Sequence, residues 1–287
     1  MLRQTRQRAS ILPMDFLPHH FVLHHGNVQP VRTAYVVHGI LGSGRNLRTF
    51  IQKLSALRPH WRFVLLDLRN HGDSTDAPAP HTLQACARDV AELSQHLAWP
   101  VELIIGHSFG GKVALQCVHD RLTDLKQVIV LDATPQMRAR TEESRHNVER
   151  VIAALQDIPQ PLQTRQQVAR LLLERGFAND VAQWMTTNLR PTPQGFVWKF
   201  DLHAVDEMMA SYFALDFWPL LRDPPIGVQI DFIRAQDSDR WTPQILQQFS
   251  QLDASRVRLH TLADAGHWLH VDQPDALARM IAENLRI

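Results

Sequence analysis

Cysteine is almost missing from this chain: Cys86 and Cys117 are the only two in 287 residues. They stand 31 positions apart in segments that read as helix, which fits neither a zinc-ligand spacing nor a disulfide framework and points to buried thiols in a reducing compartment. Excess charge of either sign is missing too. Lys plus Arg number 30 against 29 for Asp plus Glu, which removes the global electrostatic case for a nucleic-acid or lipid-surface protein and leaves a small molecule as the expected partner. No long apolar run follows the basic residues 1–8 before Pro13, Asp15 and Pro18. No export signal or membrane span is therefore read there, and the expected location is cytoplasmic, with a transit peptide or a start at Met14 as alternatives. Repeats and low-complexity segments are absent, as are a G-x-x-x-x-G-K-[ST] loop and a dinucleotide fingerprint, so no cofactor is expected. No histidine or acidic spacing on one element supports a metal site; His71 with His38 or with His107 is the nearest approach to one.

What is present is an alternation. Short β-branched or aliphatic runs at 35–37, 63–66, 101–105, 128–131, 226–233 and 257–259 read as buried strands. Between most of them, apolar residues recur at three- and four-residue spacing, as at Leu47, Phe50, Ile51, Leu54 and Leu57, or Val90, Leu93 and Leu97. The class this implies is α/β, a mainly parallel sheet with helices on both faces. The rhythm breaks once. Residues 135–225 carry helical patterns but no convincing buried strand, and so long a structureless loop is rare in a compact domain. The expected organisation is a core of residues 1–134 and 226–287 interrupted by an inserted helical cap, 135–225, lying over the ligand crevice. The arginines of its first part, Arg138, Arg140, Arg145 and Arg150, read as a solvated helix face, or as a basic rim for an acidic substrate. Trp184, Phe196, Trp198, Phe213 and Trp218 would line an apolar pocket or fill the cap's own core.

With only 12 glycines in the chain, Gly106-His107-Ser108-Phe109-Gly110 between an apolar strand and a helix is the most informative segment. A G-x-S-x-G in that context is a nucleophile elbow, in which small neighbours let a strained turn project the serine hydroxyl beyond the strand end. Ser108 then needs a base and a group to orient the base. Of 16 histidines, His267 is the strongest base, in a loop after the last strand and before a helix starting near Pro274; His270 is a substitute. Two aspartates satisfy the chain order Ser, acid, His: Asp132, ending the strand at 128–131, and Asp239, in the loop after the next strand. Either has a structural alternative, Asp132 tying down Thr134 or the start of the cap, Asp237 or Asp239 capping a helix beginning near Thr242. Backbone amides of Phe109 and of Ile40, in the glycine-containing loop 38–44, are the expected oxyanion donors. Asp67-Leu68-Arg69-Asn70-His71-Gly72-Asp73-Ser74 reads as a structural turn closing another strand.

Together, His38-Gly39-Ile40-Leu41-Gly42-Ser43 with Asn46-Leu47, Asp67 to Gly72, Gly106-His107-Ser108 with Gly110-Gly111-Lys112, Phe196-Val197-Trp198-Lys199 and Gly266-His267-Trp268 resemble the α/β-hydrolase superfamily across nearly the whole chain. Within it they look like the esterase subfamily of YbfF and the abhydrolase-domain-11 proteins. The resemblance implies a serine hydrolase of small acyl esters or thioesters, with Ser108 as nucleophile, His267 as base and the acid at Asp132. Asp239, four residues before Pro243, matches the position most of the superfamily uses, and this chain keeps both. His38-Gly39 with Gly42-Ser43 also resembles menaquinone-pathway lyases, in which the same three residues would abstract a proton. A slow-turnover ligand sensor is the third alternative.

Overall fold

The computed structural model describes residues 16–138 and 147–286. The basic residues 1–8, Pro13, Met14 and Asp15, and the arginines Arg140 and Arg145, lie outside the described residues.

Runs apolar at every position cannot leave a face to water, and here they become the middle of a sheet covered on both sides. The strands are β1 (His20–Leu23), β2 (Arg32–Val37), β3 (Trp61–Leu66), β4 (Leu103–His107) and β5 (Gln127–Leu131). After a segment that holds the separate hairpin β6 (Leu189–Thr192) and β7 (Gly195–Trp198) come β8 (Gln229–Ala235) and β9 (Val257–Leu262). Seven of them form one sheet in the order β1-β3-β2-β4-β5-β8-β9, parallel except for β1. Because side chains alternate across a strand, Val36, Leu65, Ile105 and Leu131 pack on one face with α1 (Arg48–Leu57) and the C-terminal helix. Tyr35, Val64, Ile104 and Val130 pack on the other with α2 (Leu83–Leu97) and α3 (Phe109–His119). Cys86 and Cys117, on α2 and α3, are both free and buried.

One expectation needs correction, and one strand goes unread in the sequence. The run 226–233 does not begin as a strand: Ile226 is almost fully exposed, Gly227 has φ +84°, and β8 starts at Gln229. The turn after two prolines uses the left-handed backbone that glycine permits, so hydrophobicity at Ile226 misleads. The edge strand β1 carries no legible signal, since each of its four residues is half-buried and no alternation marks a face.

Between β5 and β8 run α4 (Asn147–Gln156), α5 (Arg165–Glu174), α6 (Asn179–Thr187), the β6–β7 hairpin, α7 (Leu202–Ala214) and α8 (Trp218–Arg222). None joins the large sheet. Val151, Leu155, Val168, Leu172 and Met185 are buried, and they belong to the same apolar cluster as Tyr35, Ile104 and Val130 of the sheet, so these helices share that face's core. Their two ends are sewn together where they meet the sheet: Arg138 N–H donates to Phe213 O at 2.9 Å and Phe217 N–H to Pro135 O at 2.9 Å. Beneath that seam lies Lys112 of α3, whose buried ammonium donates to Gln136 O, Tyr212 O and Leu215 O at 2.8, 2.8 and 3.0 Å. The chain closes with α9 (Pro243–Phe249), α10 (Leu269–Asp272) and α11 (Pro274–Asn284). Among the described residues no helix is long and apolar enough to cross a membrane.

Candidate active site

Every element of the site hangs from the carboxyl ends of parallel strands, where an open sheet places its ligands. At the end of β4 the chain turns abruptly into α3, and Ser108 takes φ +52°, ψ −112°, a backbone state that costs a non-glycine residue about 1–3 kcal/mol. Its neighbours cannot be larger. A Cβ at Gly106 would stand 2.1 Å from Gly110 O, and one at Gly110 would stand 2.4 Å from Val37 O. The second figure shows how closely α3 crosses the end of β2, which brings loop 38–44 beside the serine.

That loop is held by two buried histidines in defined tautomers. His38 Nδ1–H donates to Gly39 O at 2.7 Å while Nε2 accepts from Leu68 N–H at 2.9 Å. His71 Nδ1–H donates to Arg69 O at 3.0 Å while Nε2 accepts from Leu41 N–H at 3.1 Å. Burial pushes both rings toward the neutral form, His71 down to about 3, so each keeps the lone pair its amide partner needs. Neither has a ring nitrogen left for a metal ion. The turn at 67–74 is structural in the same way: Asp67 accepts from Gly44 N–H at 2.7 Å and Asp73 N–H at 2.9 Å. Arg69 pairs with Asp89 of α2 through two bonds of 2.7 Å. With Leu41 N–H taken by His71 and Gly42 N–H by Gly39 O, the Ile40 amide has no acceptor among the described residues. The Phe109 amide, first in α3, has no intrahelical one.

Asp132 follows β5 with φ +46° and is completely buried. Its Oδ1 accepts from Ala235 N–H at 3.1 Å and Trp241 Nε1–H at 2.8 Å; its Oδ2 accepts from Ser238 Oγ–H at 2.8 Å and His267 Nδ1–H at 2.8 Å. Burial pushes the carboxyl up, but His267 and the other donors outweigh it and hold its pKa below the usual range. On His267 burial acts first, the Arg240 charge second, and together they overcome Asp132 and bring the imidazole down to about 4. The backbone of His267 is fixed by His107 Nε2–H, which donates to its carbonyl at 2.8 Å.

The structure thus brings Ser108, His267 and Asp132 to one edge and leaves Asp239 without a bond to His267. Asp239 does not cap α9 either; Thr242 does, accepting from Ile245 N–H. The loop 235–241 supplies donors to Asp132 from Ala235, Ser238 and Trp241, none of which any local motif singles out. The Ser108 hydroxyl makes no hydrogen bond among the described residues, as is common before a substrate draws a catalytic bond tight. It lines a cavity of about 390 Å³ with His267, Ile40, His270, Asp239, Arg240 and Trp268 from the sheet side and Val148, Val151, Asp180 and Trp184 from the helices between β5 and β8. Trp184 and Trp268 meet edge to face at 5.4 Å. Phe196, Trp198 and Trp218 pack within the protein rather than on this cavity, whereas Phe213 borders a small lobe beside Ser108. Of the four arginines read from residues 138–150, the two described ones differ: Arg138 approaches Glu149 at 3.9 Å and Arg150 lies over the Phe177 ring.

A profile of the alpha/beta hydrolase family matches residues 22–280. The mouse sn-1-specific diacylglycerol lipase ABHD11 is 26% identical over 255 residues, 86% of this chain and 80% of that protein. Esterase YbfF of Escherichia coli K12 is 26% identical over 254 residues, 87% and 91% respectively. Among solved structures, a marine microorganism esterase superposes with a TM-score of 0.79 at 24% identity, covering 94% of this chain and all of that one, a likeness of fold.

Proposed function

We propose, from the premise that this chain belongs to the alpha/beta hydrolase family, that it is an esterase/lipase-type hydrolase working through a Ser-His-Asp triad and an acyl-enzyme. The observation that carries the reading is the 2.8 Å bond from His267 Nδ1–H to the buried Asp132, with His267 and the strained Ser108 lining one cavity. That bond leaves Nε2 as the imidazole's lone-pair nitrogen, and a neutral base is what a serine hydroxyl needs at pH 7.

In the proposed sequence, Ser108 Oγ attacks the ester carbonyl carbon as His267 Nε2 takes its proton. The tetrahedral oxyanion receives hydrogen bonds from the Ile40 and Phe109 amides. His267 then returns the proton to the leaving alcohol or thiol, and the C–O or C–S bond breaks. Water, deprotonated by His267, attacks the acyl-enzyme, and collapse of the second tetrahedral species restores Ser108. Asp132 stays ionised throughout, holding the ring and stabilising the imidazolium. The segment 135–225 acts as a cap through its described helices α4 and α6, which roof the cavity, exclude water and set its shape. Trp184, Val148 and Val151 make that roof largely apolar, which suits an acyl chain.

The test is hydrolysis of p-nitrophenyl esters of increasing acyl length by wild type and Ser108→Ala in parallel. Loss of several orders of magnitude in the variant is expected. Near-normal turnover by Ser108→Ala would overturn the mechanism, whereas no hydrolysis by wild type at any acyl length would favour the lyase or sensor reading.

A further inference from the structure

The triad leaves one cation of the site unspent. Arg240 borders both the main cavity and the small lobe beside Ser108, together with Ser108, Ile40 and Val148. Among the described residues its nearest carboxylate is Asp132, with Nε 4.0 Å from Oδ2, and that carboxylate already accepts four hydrogen bonds, two on each oxygen. A carboxylate has about four lone-pair sites, so Asp132 is full. Arg240 Nε is accordingly buried with no hydrogen-bond partner, and no other bond from its guanidinium forms among the described residues. A second guanidinium, that of Arg138, borders the same lobe, its Nε likewise buried without a partner while its far end approaches Glu149. Unpaired buried guanidinium donors are costly unless a ligand supplies acceptors. The acidic side chains Asp180, Asp239 and Asp272 border only the main cavity. Asp272 is occupied in accepting from Gly266 N–H.

Resting on the hydrolase reading above, we infer that Arg240 is a carboxylate-binding group and that the substrate is an ester or thioester bearing one carboxylate within a few bonds of the scissile carbonyl. The anion sits where the two cavities join, between Arg240 and Arg138, and the remainder extends under Trp184 and Trp268, where Asp180 and Asp239 disfavour a second negative charge. Arg240 is a fork of five donors suited to a planar carboxylate.

Two substrate pairs locate the charge: p-nitrophenyl hemiglutarate against p-nitrophenyl valerate for the acyl side, and 4-acetoxybenzoate against its methyl ester for the leaving group. Wild type is expected to prefer the acid in one pair by at least about tenfold in kcat/KM. Arg240→Gln should lower that preference about 10- to 100-fold, the range for losing a charge-assisted bond, and Arg240→Lys should restore part of it. A measurement on wild type alone guards against a variant that fails to fold: the monoanion butyrate should compete at least tenfold better than butyramide. Equal kcat/KM within both pairs, or an acid preference untouched by Arg240→Gln, would overturn the anion site while leaving the triad standing. Full turnover by Ser108→Ala would instead remove the hydrolase reading, whatever the preference.

Discussion

Replacing Asp132 by Asn isolates one hydrogen bond. The amide keeps Oδ1 for Ala235 N–H and Trp241 Nε1–H, but places NH₂ where Oδ2 now accepts from Ser238 and from His267 Nδ1–H at 2.8 Å. An NH₂ group can only donate there. His267 must then carry its proton on Nε2, which leaves no lone pair for Ser108 and no counter-charge for the imidazolium. The corresponding change in a serine protease lowers kcat about 10⁴-fold, which is about 5.4 kcal/mol, and a loss of about 10³ to 10⁴ is expected here. The assay is p-nitrophenyl butyrate hydrolysis at pH 8, with a thermal melt to establish that the variant is folded at the assay temperature. Asp239→Asn is the control, expected to cost less than about tenfold because Asp239 bonds no ring nitrogen of His267; a tenfold loss corresponds to about 1.4 kcal/mol. The reasoning fails if folded Asp132→Asn retains a tenth of wild-type kcat, or if Asp239→Asn loses a thousandfold.

The pH profile tests the base directly. His267 must be neutral to act, and with its pKa lowered to about 4 activity should be full above that value and fall as pH drops through it. An acid limb of kcat/KM at 6.5 or higher would contradict this. Removing the Arg240 charge, the second cause of the shift, should move the limb upward in Arg240→Gln. Gly110→Ala would drive a methyl to 2.4 Å from Val37 O and 2.6 Å from His38 O, both backbone; overpacking of this kind costs about 1–3 kcal/mol or more, and a melt unchanged from wild type would show that α3 can move away. Lys112→Met strips three carbonyls of their donor. A penalty of about 3 kcal/mol would lower Tm by about 5 °C, with limited proteolysis expected to cut first within 135–225; a uniform cleavage pattern would argue against Lys112 as the anchor of that segment.

Strand positions inside the sheet and the elbow were legible because each is a local matter. An all-apolar run has one way to avoid water, and Gly106 and Gly110 mark a close approach that any side chain would block. Order along the chain likewise placed Ser108 before an acid and His267 after it. The half-buried β1 and the turn at Ile226 escaped, since their states depend on what lies beside them. Choosing between Asp132 and Asp239 lay beyond any spacing argument, because both stand at the same edge of the sheet. The fold separates them by where the donors are: Ala235 at the end of β8, and Ser238 and Trp241 in the loop after it, turn toward Asp132 from 103 or more residues away. His107, His38, His71 and Lys112 belong to the same group, their roles set by carbonyls and amides remote in sequence. The sequence by itself determined an α/β sheet with a serine at its crossover and a histidine to answer it. Only the tertiary structure decided which carboxylate holds that histidine and which arginine is left with donors to spare, since both depend on hydrogen-bond partners that the parallel crossovers bring together from distant segments.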